Sequence, residues 1–286
     1  MRLKHLEASL SSLQREFPSP KIQLEQYPTS PHLAACVVQM AIDHDDLGPG
    51  RTCLDLGCGT GMLMIAAAMV DTDLVLGVDC DDEAMVVAME NVLRVEQKES
   101  VEILQAKVRT RPIEGSSAGS SLKPSSSKNF KGKRGGGGRG RSGRSTGGRG
   151  SQPAQLTKAI LIHGSEDGIP LKDNCVDTVL TNPPFGTKSD NAGIDLQFLR
   201  TATRLARRSV YSFHKRSTRT FLLKTIQKDW GFDDAKVVAE MAFDVPNMYK
   251  FHTQKSKDIE VDLIRIVVEQ DGPVVATGDR NNNIAL

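Results

Sequence analysis

A glycine-rich loop that follows a short apolar strand constrains the fold of this chain more than any other feature. The strand is predicted over residues 51–56, the loop at 57–61 reads Gly-Cys-Gly-Thr-Gly, and a small-residue helix is predicted over 62–70. A second strand is predicted over 74–78 and is closed by Asp79. Glycine permits positive φ and close approach of a ligand to the backbone, so this strand–loop–helix–strand unit predicts a ligand site at the loop.

Predicted strands and helices alternate along the rest of the chain. Strands are predicted at residues 101–104, 159–162, 176–181, 209–214, 236–243 and 259–268. Helices are predicted at residues 82–95, 194–208 and 217–230. This alternation is typical of an α/β fold, and the two long final strands indicate an antiparallel hairpin. We therefore predict a Rossmann-like, seven-stranded, mostly parallel sheet that ends in this hairpin.

A basic low-complexity segment interrupts the alternation. Residues 109–150 contain eleven Lys or Arg against one acid, although the whole chain has a net charge of only +2. Their Ser, Gly, Arg and Lys residues cannot bury enough apolar surface to fold. We predict one domain from residues 1–108 and 158–270, a disordered insert at 109–157 and a loose tail at 271–286. The insert could bind RNA, direct nuclear import or be a tolerated surface insertion.

The cysteine pattern and the hydropathy exclude several classes of protein. Five cysteines are scattered without Cys-x-x-Cys spacing or histidine at ligand spacing, so neither a disulfide framework nor a metal site is predicted. A membrane span needs about 18 consecutive apolar residues, and no such run is present. The first residues lack the apolar core of a signal peptide. We expect a protein of the cytoplasm and nucleus, with the nucleolus as one candidate compartment, that does not contact membranes.

Two carboxylates beside the glycine loop point to a particular kind of ligand. Asp79 ends the second strand, 22 residues after Gly57, where an acid accepts hydrogen bonds from ribose hydroxyls. Asp55 precedes the loop, where a carboxylate disfavours a phosphate and favours a cation. S-adenosylmethionine, a nucleoside with a sulfonium and an ammonium group, meets both conditions. A dinucleotide site and a purely structural turn are the alternatives.

A second motif, Asn182-Pro183-Pro184-Phe185, follows the strand predicted at 176–181. The prolines remove two N–H donors, which leaves carbonyl and amide acceptors next to an aromatic ring. Such a pocket suits a planar molecule that offers an amino group, whereas an ordinary proline-rich turn is the simpler interpretation. Because ligands bind at the carboxyl ends of parallel strands, we expect this motif and the glycine loop to face one crevice.

Longer stretches of the sequence resemble a known enzyme family. The stretches are residues 24–29, 55–59, 182–188, 210–215, 249–252 and 258–265, which read LEQYPT, DLGCG, NPPFGTK, VYSFHK, YKFH and DIEVDLIR. They are similar to class I methyltransferases with an Asn-Pro-Pro-aromatic signature, and within them to the small-subunit (18S) ribosomal RNA adenine N6-methyltransferases. The resemblance covers residues 1–108 and 158–268 in register.

The resemblance implies roles for individual residues. The implied contacts to S-adenosylmethionine are Gln26, Thr29, Gly57, Thr60, Met62 and Asp79, and the reading of the glycine loop adds Asp55 and Gly59. The family has an acidic residue that contacts the adenine ring of the cofactor. Its counterpart here is Lys107 or Ser165, and we favour Ser165 because it follows the strand that leads on to Ile169. The family also implies a small zinc-binding activator protein that covers an apolar face.

The predicted reaction is an in-line displacement in which N6 of an adenine attacks the methyl carbon of the sulfonium. Acceptors at the Asn182 side chain and the Pro183 carbonyl would orient the amine, and Phe185 would stack on the base. The residues predicted to hold RNA are Lys188, His214, Lys215, Tyr249, Lys250, Phe251 and His252.

Two other functions stay open on the sequence alone. A protein glutamine N5-methyltransferase would act on the same kind of planar nitrogen, but such enzymes usually carry Tyr where this chain has Phe185 and have an N-terminal substrate domain. A catalytically silent RNA-binding module would not need the intact acidic and glycine residues or Asn182. Binding of S-adenosylmethionine separates the silent module from the two enzymes.

Overall fold

A mixed sheet organises the structure, a computed structural model that describes residues 3–96, 101–106, 157–163, 169, 171–186, 191–245 and 257–268. Its strands are β1 (Thr52–Leu56), β2 (Leu74–Asp79), β3 (Val101–Ala106), β4 (Thr157–His163), β5 (Val176–Thr181), β6 (Ala206–Lys215), β7 (Ala235–Val245) and β8 (Lys257–Val267). Their order across the sheet is β3-β4-β2-β1-β5-β6-β8-β7.

Helices connect most of the strands. They are α1 (Leu3–Leu10), α2 (Pro31–Asp43), α3 (Met62–Ala68), α4 (Asp82–Glu96), α5 (Ile194–Leu205) and α6 (Arg219–Lys224), with a π-helical turn at Thr225–Asp229. The start of α2 shows how the sequence sets a boundary. The Ser30 hydroxyl accepts a hydrogen bond from the Leu33 N–H at 3.2 Å, and Pro31 supplies the fixed φ of the first turn.

The strand directions confirm the predicted α/β class and the terminal hairpin. The six strands from β3 to β6 across the sheet run parallel, whereas β8 is antiparallel to β6 and β7 is antiparallel to β8. The described residues form eight strands, one more than the seven expected. Each of the eight coincides with a segment predicted as a strand, and the sheet includes all of them: β4 lies beside β2, and β3 pairs with the outer edge of β4.

Apolar layers cover both faces of the sheet. One layer joins α1 to α4 and contains the fully buried Leu10 and Met64, and the other joins α5 and α6 and contains Leu199 and Leu222. Successive residues of a strand point to opposite faces, so neighbouring apolar residues such as Cys53 and Leu54 can both be buried. This explains why the central strands read as continuous apolar runs.

The predicted insert and tail lie outside the described residues, so the division of the chain at 109–157 and 271–286 stays a prediction. The described elements belong to one compact unit, residues 1–110 and 155–286. No helix in the described part of the chain combines the length and the apolar character that crossing a bilayer requires.

A buried polar network ties the loop after α2 to three strands. Asp46 is 2% exposed, and its Oδ2 accepts hydrogen bonds from the Tyr211 hydroxyl at 2.7 Å and from Arg265 Nε at 2.9 Å. The carbonyl of Asp46 accepts from the Thr178 hydroxyl at 2.6 Å. Because a buried carboxylate costs free energy unless it is paired, these partners make the loop a fixed part of the fold.

Replacement of Tyr211 by Phe removes one donor to Asp46 and leaves the direct contact between Arg265 and Asp46 in place. We expect the free energy of unfolding to fall by about 1 kcal/mol, the typical net value of one hydrogen bond. Urea denaturation measures the change, with an unchanged dependence on denaturant concentration as the control. A variant as stable as the wild type would show that the hydroxyl contributes nothing.

Candidate active site

The carboxyl ends of β1, β2 and β5 border one cavity of about 590 Å³. In the sheet β1 lies between the other two strands, with Leu56 opposite Val78 and Asp55 opposite Leu180. This pairing brings the glycine loop, the end of β2 and the Asn-Pro-Pro motif to one crevice. The sequence-predicted residues on its wall are Gln26, Thr29, Asp55, Gly57, Gly59, Thr60, Met62, Asp79, Asn182 and Pro184.

Two positions of the loop require glycine. Gly57 and Gly59 have φ values of 75° and 52°, in the left-handed region. A Cβ at Gly57 would lie 3.0 Å from the Phe198 ring, and a Cβ at Gly59 would lie 2.9 Å from the Phe17 ring. Both rings line the cavity, so the bare loop backbone and two aromatic side chains together form its walls.

The loop N–H groups are already used within the protein. Gly57 and Cys58 donate hydrogen bonds to the Val78 carbonyl at 2.8 and 2.9 Å, and Gly59 donates to Asp79 Oδ2 at 2.7 Å. A phosphate-binding loop instead aims such groups at its ligand. The geometry therefore disfavours the dinucleotide alternative, in agreement with the two carboxylates beside the loop.

Asp79 is held in place by backbone donors. Its Oδ2 accepts from Gly59 N and its Oδ1 accepts from Asp81 N at 2.9 Å. Burial raises the pKa of Asp79 above its usual range, while these N–H donors act in the opposite direction. A carboxylate has about four lone-pair sites, so it keeps acceptor capacity for hydroxyl groups in the cavity.

Asp55 is the least satisfied charged group of the site. It is 1% exposed, its Oδ2 accepts from the Met64 N–H at 2.9 Å, and its Oδ1 has no hydrogen-bond partner among the described residues. Burial raises the pKa of Asp55 to about 7, the Met64 N–H lowers it, and the nearby charge of Asp79 raises it further. A cation in the cavity would satisfy the orphaned oxygen and favour the ionised carboxylate.

The segment between α1 and α2 closes one side of the cavity. Asn91 on α4 is fully buried, and its amide donates to the carbonyls of Gln14 and Thr60 at 2.7 and 3.0 Å and accepts from Gln14 N at 2.9 Å. The Thr60 hydroxyl donates to the Arg15 carbonyl at 3.1 Å. Asn91 therefore joins this segment to the glycine loop, a role that a polar residue inside an amphipathic helix pattern only hints at.

Gln26 is fixed by its neighbours rather than free on the cavity wall. Its Oε1 accepts from Lys21 N at 2.7 Å, and its Nε2 donates to Asp81 Oδ2 at 2.5 Å. Lys21 also forms an ion pair with Asp81. Sequence reasoning missed Lys21 and Asp81, because their contact joins residues 60 positions apart.

Asn182 has a defined amide orientation. Its Nδ2 donates to the Thr29 hydroxyl at 3.1 Å and approaches the Tyr27 carbonyl at 3.4 Å. Its Oδ1 accepts no hydrogen bond from the described residues, and the side chain lies on the cavity wall. The N-terminal segment thus turns the amide so that an acceptor is available to a molecule in the crevice.

The structure corrects the role predicted for Phe185. Its side chain is 6% exposed and belongs to the apolar core, and its ring stacks on Tyr27 with centroids 6.1 Å apart. Stacking on a substrate base requires an open ring face, and in this conformation Phe185 does not line the cavity. Its position instead supports Tyr27, whose carbonyl approaches Asn182. Pro183 is buried directly after β5 and is likewise not on the cavity wall.

The structure also shows that His214 is not an RNA contact. It is 1% exposed, its Nε2 lies 2.8 Å from the Ser212 hydroxyl, and its Nδ1 lies 3.6 Å from Asp195 Oδ2 at the start of α5. Its side chain points to the face of β6 that α5 covers, which removes it from solvent. Lys215, the next residue, is half-buried at the end of β6 and stays a candidate.

Several predicted contacts fall outside the described residues and stay predictions. They are Ser165, Lys188, Tyr249, Lys250, Phe251 and His252. The placement of β4 bears on the first of them, because β4 pairs with β2 and Asp79 lies opposite His163, two residues before Ser165. Within the described ranges no three His, Cys, Asp or Glu side chains come together as metal ligands.

Comparison with known proteins gives long matches to one group of enzymes. The chain is 37% identical over 265 residues to the rRNA N(6)-adenosine-methyltransferase METTL5 of Danio rerio. The matched residues make up 93% of this chain and 98% of the relative. It is 36% identical to the rRNA N(6)-adenosine-methyltransferase Mettl5 of Drosophila melanogaster, and this match covers 94% of this chain and 97% of the relative. The chain belongs to the METTL5 family of rRNA N(6)-adenosine-methyltransferases. The resemblance found from the sequence motifs is therefore confirmed.

Two other matches define what the METTL5 family shares with more distant proteins. The family model of ribosomal protein L11 methyltransferase (PrmA) matches residues 33–115, which include the glycine loop and Asp79 but end before Asn182. The crystal structure of PH1948 from Pyrococcus horikoshii superposes with a TM-score of 0.58 at 24% identity, covering 93% of this chain and 98% of that one. The fold is that of class I methyltransferases.

The raised pKa of Asp55 gives a prediction about stability. Its pKa is about 7 in the folded chain and about 3.8 when exposed, so the folded state binds the proton more tightly and loses stability as pH rises from about 4 to about 7. Asp55→Asn keeps an acceptor for Met64 N and removes the charge. We expect it to stabilise the protein at pH 8 by on the order of a few kcal/mol, and by less at pH 5.

Thermal unfolding at both pH values measures the difference. Asp177→Asn is the matched control, because Asp177 is partnered by Arg207 and Thr52 and its substitution should destabilise at pH 8. An Asp55→Asn variant whose midpoint shifts equally at pH 5 and pH 8 would contradict the assignment of a buried, poorly satisfied charge.

Proposed function

We propose that this chain transfers a methyl group from S-adenosylmethionine to N6 of an adenine in small-subunit (18S) ribosomal RNA. Membership of the METTL5 family supports the reaction class. The observation that carries the proposal within the structure is the Asn182 amide, whose donor side is held by Thr29 and whose acceptor side is left for the crevice. An amine substrate is complementary to such an acceptor.

The described residues fit S-adenosylmethionine. The orphaned Asp55 Oδ1 would receive the ammonium group, Asp79 would accept the ribose hydroxyls, and the cavity volume lies in the usual range for small-molecule sites. Gly57, Gly59, Thr60 and Met62 would form the wall beside the cofactor. When bound, S-adenosylmethionine supplies a methyl group activated by its sulfonium.

The protein's own part in the reaction is orientation of the acceptor amine. The amine lone pair of adenine is delocalised into the ring, which makes it a weak nucleophile. Acceptance of an amine proton by Asn182 Oδ1, which lies on the cavity wall, would orient the lone pair toward the donor methyl group. Positioning of this kind lowers the barrier without a strong general base. The adenine must leave its stack to enter the crevice, as for other enzymes that modify bases.

Two features disfavour the alternatives. The match to ribosomal protein L11 methyltransferase stops before Asn182, whereas the METTL5 relatives match over more than nine-tenths of the chain. This argues against a protein substrate such as glutamine. A silent RNA-binding module would have no reason to keep a buried, unsatisfied Asp55, and calorimetry with S-adenosylmethionine separates that case because a silent module gives no heat.

An apolar face on α4 is the proposed surface for the small zinc-binding activator. Val86 and Leu93 are 59% and 46% exposed, and they lie seven residues apart, on one side of the helix. Exposed apolar residues that lie together mark interaction sites. With ribosomal RNA as substrate, the chain would act in the nucleus, including the nucleolus, and in the cytoplasm.

Asn182→Ala removes the acceptor of the amine but leaves the glycine loop and both carboxylates intact. We expect loss of methyl transfer by at least about 100-fold, with cofactor affinity within about twofold of the wild type. Thr29→Val, which removes one of the two partners of the Asn182 amide and leaves the Tyr27 carbonyl, should give an intermediate loss. The measurement is mass spectrometry of nucleosides from ribosomal RNA incubated with labelled cofactor. Full activity of Asn182→Ala would sink the assignment.

Replacement of Val86 and Leu93 by Asp should abolish co-purification of the activator on co-expression, because the face would then carry charge where it needs apolar contact. Phe221→Asp is the matched control, since Phe221 is 58% exposed on α6, on the other face of the sheet. Retention of the activator by the double variant, or its loss with the control, would rule out this surface.

A further inference from the structure

Large apolar side chains are exposed at two sites in the described part of the chain, and the charged residues next to them differ in sign. Around Val86 and Leu93 on α4 the helix carries the acids Asp82, Glu83 and Glu90. Phe221 on α6, the other exposed large apolar residue of the described ranges, is followed by lysines instead. A single exposed phenylalanine is unremarkable by itself, and the cations around it make this place different.

The two lysines that follow Phe221 are exposed and have no acidic partner among the described residues, whereas Arg219 before it is paired with Asp262 and Glu240. Lys224 and Lys228 follow it by three and seven residues, whereas Leu222 and Ile226 between them are fully buried. Phe221 and the two lysines therefore share the solvent side of α6 and the π-helical turn after it. Neither lysine makes an ion pair with any described residue. Asp229, beside Lys228, is an exposed acid that is likewise unpaired within these ranges.

The neighbouring helix α5 contributes a further cation. Arg200 is exposed, and its guanidinium lies 5.1 Å from the centre of the Trp230 ring. It makes no ion pair within the described part of the chain, in contrast to Arg204 one turn later, which binds Asp173. Contact with the ring holds the guanidinium in place while its N–H groups stay available.

The position of α6 relative to the crevice is set by the sheet. Thr181 of β5 lies opposite Ser212 of β6, so Lys215 extends about three residues beyond the end of β5, where Asn182 begins the motif. A short turn, Arg216–Thr218, then leads into α6. Phe221 lies in the first turn of the helix, six residues after the end of β6, and Lys224 and Lys228 lie roughly 5 and 10 Å further along.

We propose that this side of α5 and α6, defined by Arg200, Lys215, Phe221, Lys224 and Lys228, binds the RNA backbone next to the target adenine. Unpaired cations suit phosphates, and an exposed phenylalanine offers a stacking surface to an unstacked base. The inference rests on the proposed function, because it supplies the RNA surface that buried His214 does not. Flanking RNA would lie along α6 while the adenine enters the crevice.

The experiment uses the full chain, the double variant Lys224→Glu/Lys228→Glu, and a ribosomal RNA fragment that contains the target adenine. Fluorescence anisotropy without cofactor, over a range of salt concentrations, gives the dissociation constant and its salt dependence. We expect affinity to fall by about tenfold or more at low salt and the salt slope to fall by roughly 1.4 to 1.8, because each of the two phosphate contacts contributes about 0.7 to 0.9. Phe221→Ala should weaken binding by roughly fivefold or more without a change of slope.

Lys4→Glu/Lys172→Glu is the matched control. Both residues are exposed and without an ion pair in the described ranges. Lys4 lies on α1, and Lys172 lies four residues before the amino end of β5, whereas the crevice lies at its carboxyl end. The control has the same change of charge and should keep the wild-type slope. Equal affinity and slope in the two double variants would overturn the proposal. If the charge reversal impairs folding, the milder Lys224→Gln/Lys228→Gln variant takes its place. This variant should show a smaller loss of RNA affinity than expected for the charge reversal.

Methyl transfer separates this inference from the proposed function. Wild-type protein that binds the fragment but does not methylate it would contradict the reaction and not the surface. If the inference is right, Lys224→Glu/Lys228→Glu should lose kcat/KM on the long fragment and keep it on a short oligonucleotide that holds little more than the target adenine. An equal loss of kcat/KM on both substrates would show that the lysines affect the reaction in the crevice. It would contradict a surface that binds only the flanking RNA backbone.

Discussion

The hydrogen bond from Asn182 to Thr29 is the contact on which the crevice depends. An amide has a donor end and an acceptor end, and the two differ little in shape, so only its partners decide which end faces a ligand. Thr29 takes the donor end at 3.1 Å, with the Tyr27 carbonyl nearby. The first thirty residues thus belong to the active site as much as β5 does, although 153 positions separate the two partners.

Negative charge around the glycine loop is a second constraint. Asp55, Asp79 and Asp81 lie within one small region, and burial raises the pKa of the first two. Asp81 avoids this because Lys21 and Gln26 partner it, and the pKa of Asp81 is lowered although the side chain is buried. Burial of ionised Asp55 therefore lowers the free energy of unfolding, and a bound cation can offset this loss. Binding of a cationic ligand at Asp55 should for this reason also stabilise the fold.

The sequence was informative where a local rule determines the structure. Glycine at 57 and 59 follows from positive φ and from the closeness of two rings, and Asp79 follows from its place at the end of a strand. It was misleading for Phe185 and His214, whose surroundings are built by distant residues. Tyr27 covers the first, and Asp195 with Ser212 encloses the second.

Other contacts of the site could not be predicted from the sequence. Asn91 looks like an ordinary polar helix residue until Gln14 is placed beside it, and Lys21 cannot be paired with Asp81 from spacing. The order of the strands was also open, because two predicted strands flank the basic stretch and either could have taken the place next to β2. Only the pairing of β4 with β2 decides between them.

The border between β1 and β5 separates a part of the sheet that matches the ribosomal protein L11 methyltransferase family from a part that lies outside this match. On one side lie the glycine loop and β2, the part that is shared with the ribosomal protein L11 methyltransferase family. On the other side lies the Asn-Pro-Pro motif, joined to β1 through three registered pairs from Cys53–Thr178 to Asp55–Leu180. A shift of this pairing by one residue would turn every side chain of β5 to the opposite face of the sheet. A replacement of the Asn-Pro-Pro motif must therefore keep the register between β1 and β5. Protein engineers could therefore graft a different acceptor pocket after Thr181 while keeping the donor side unchanged.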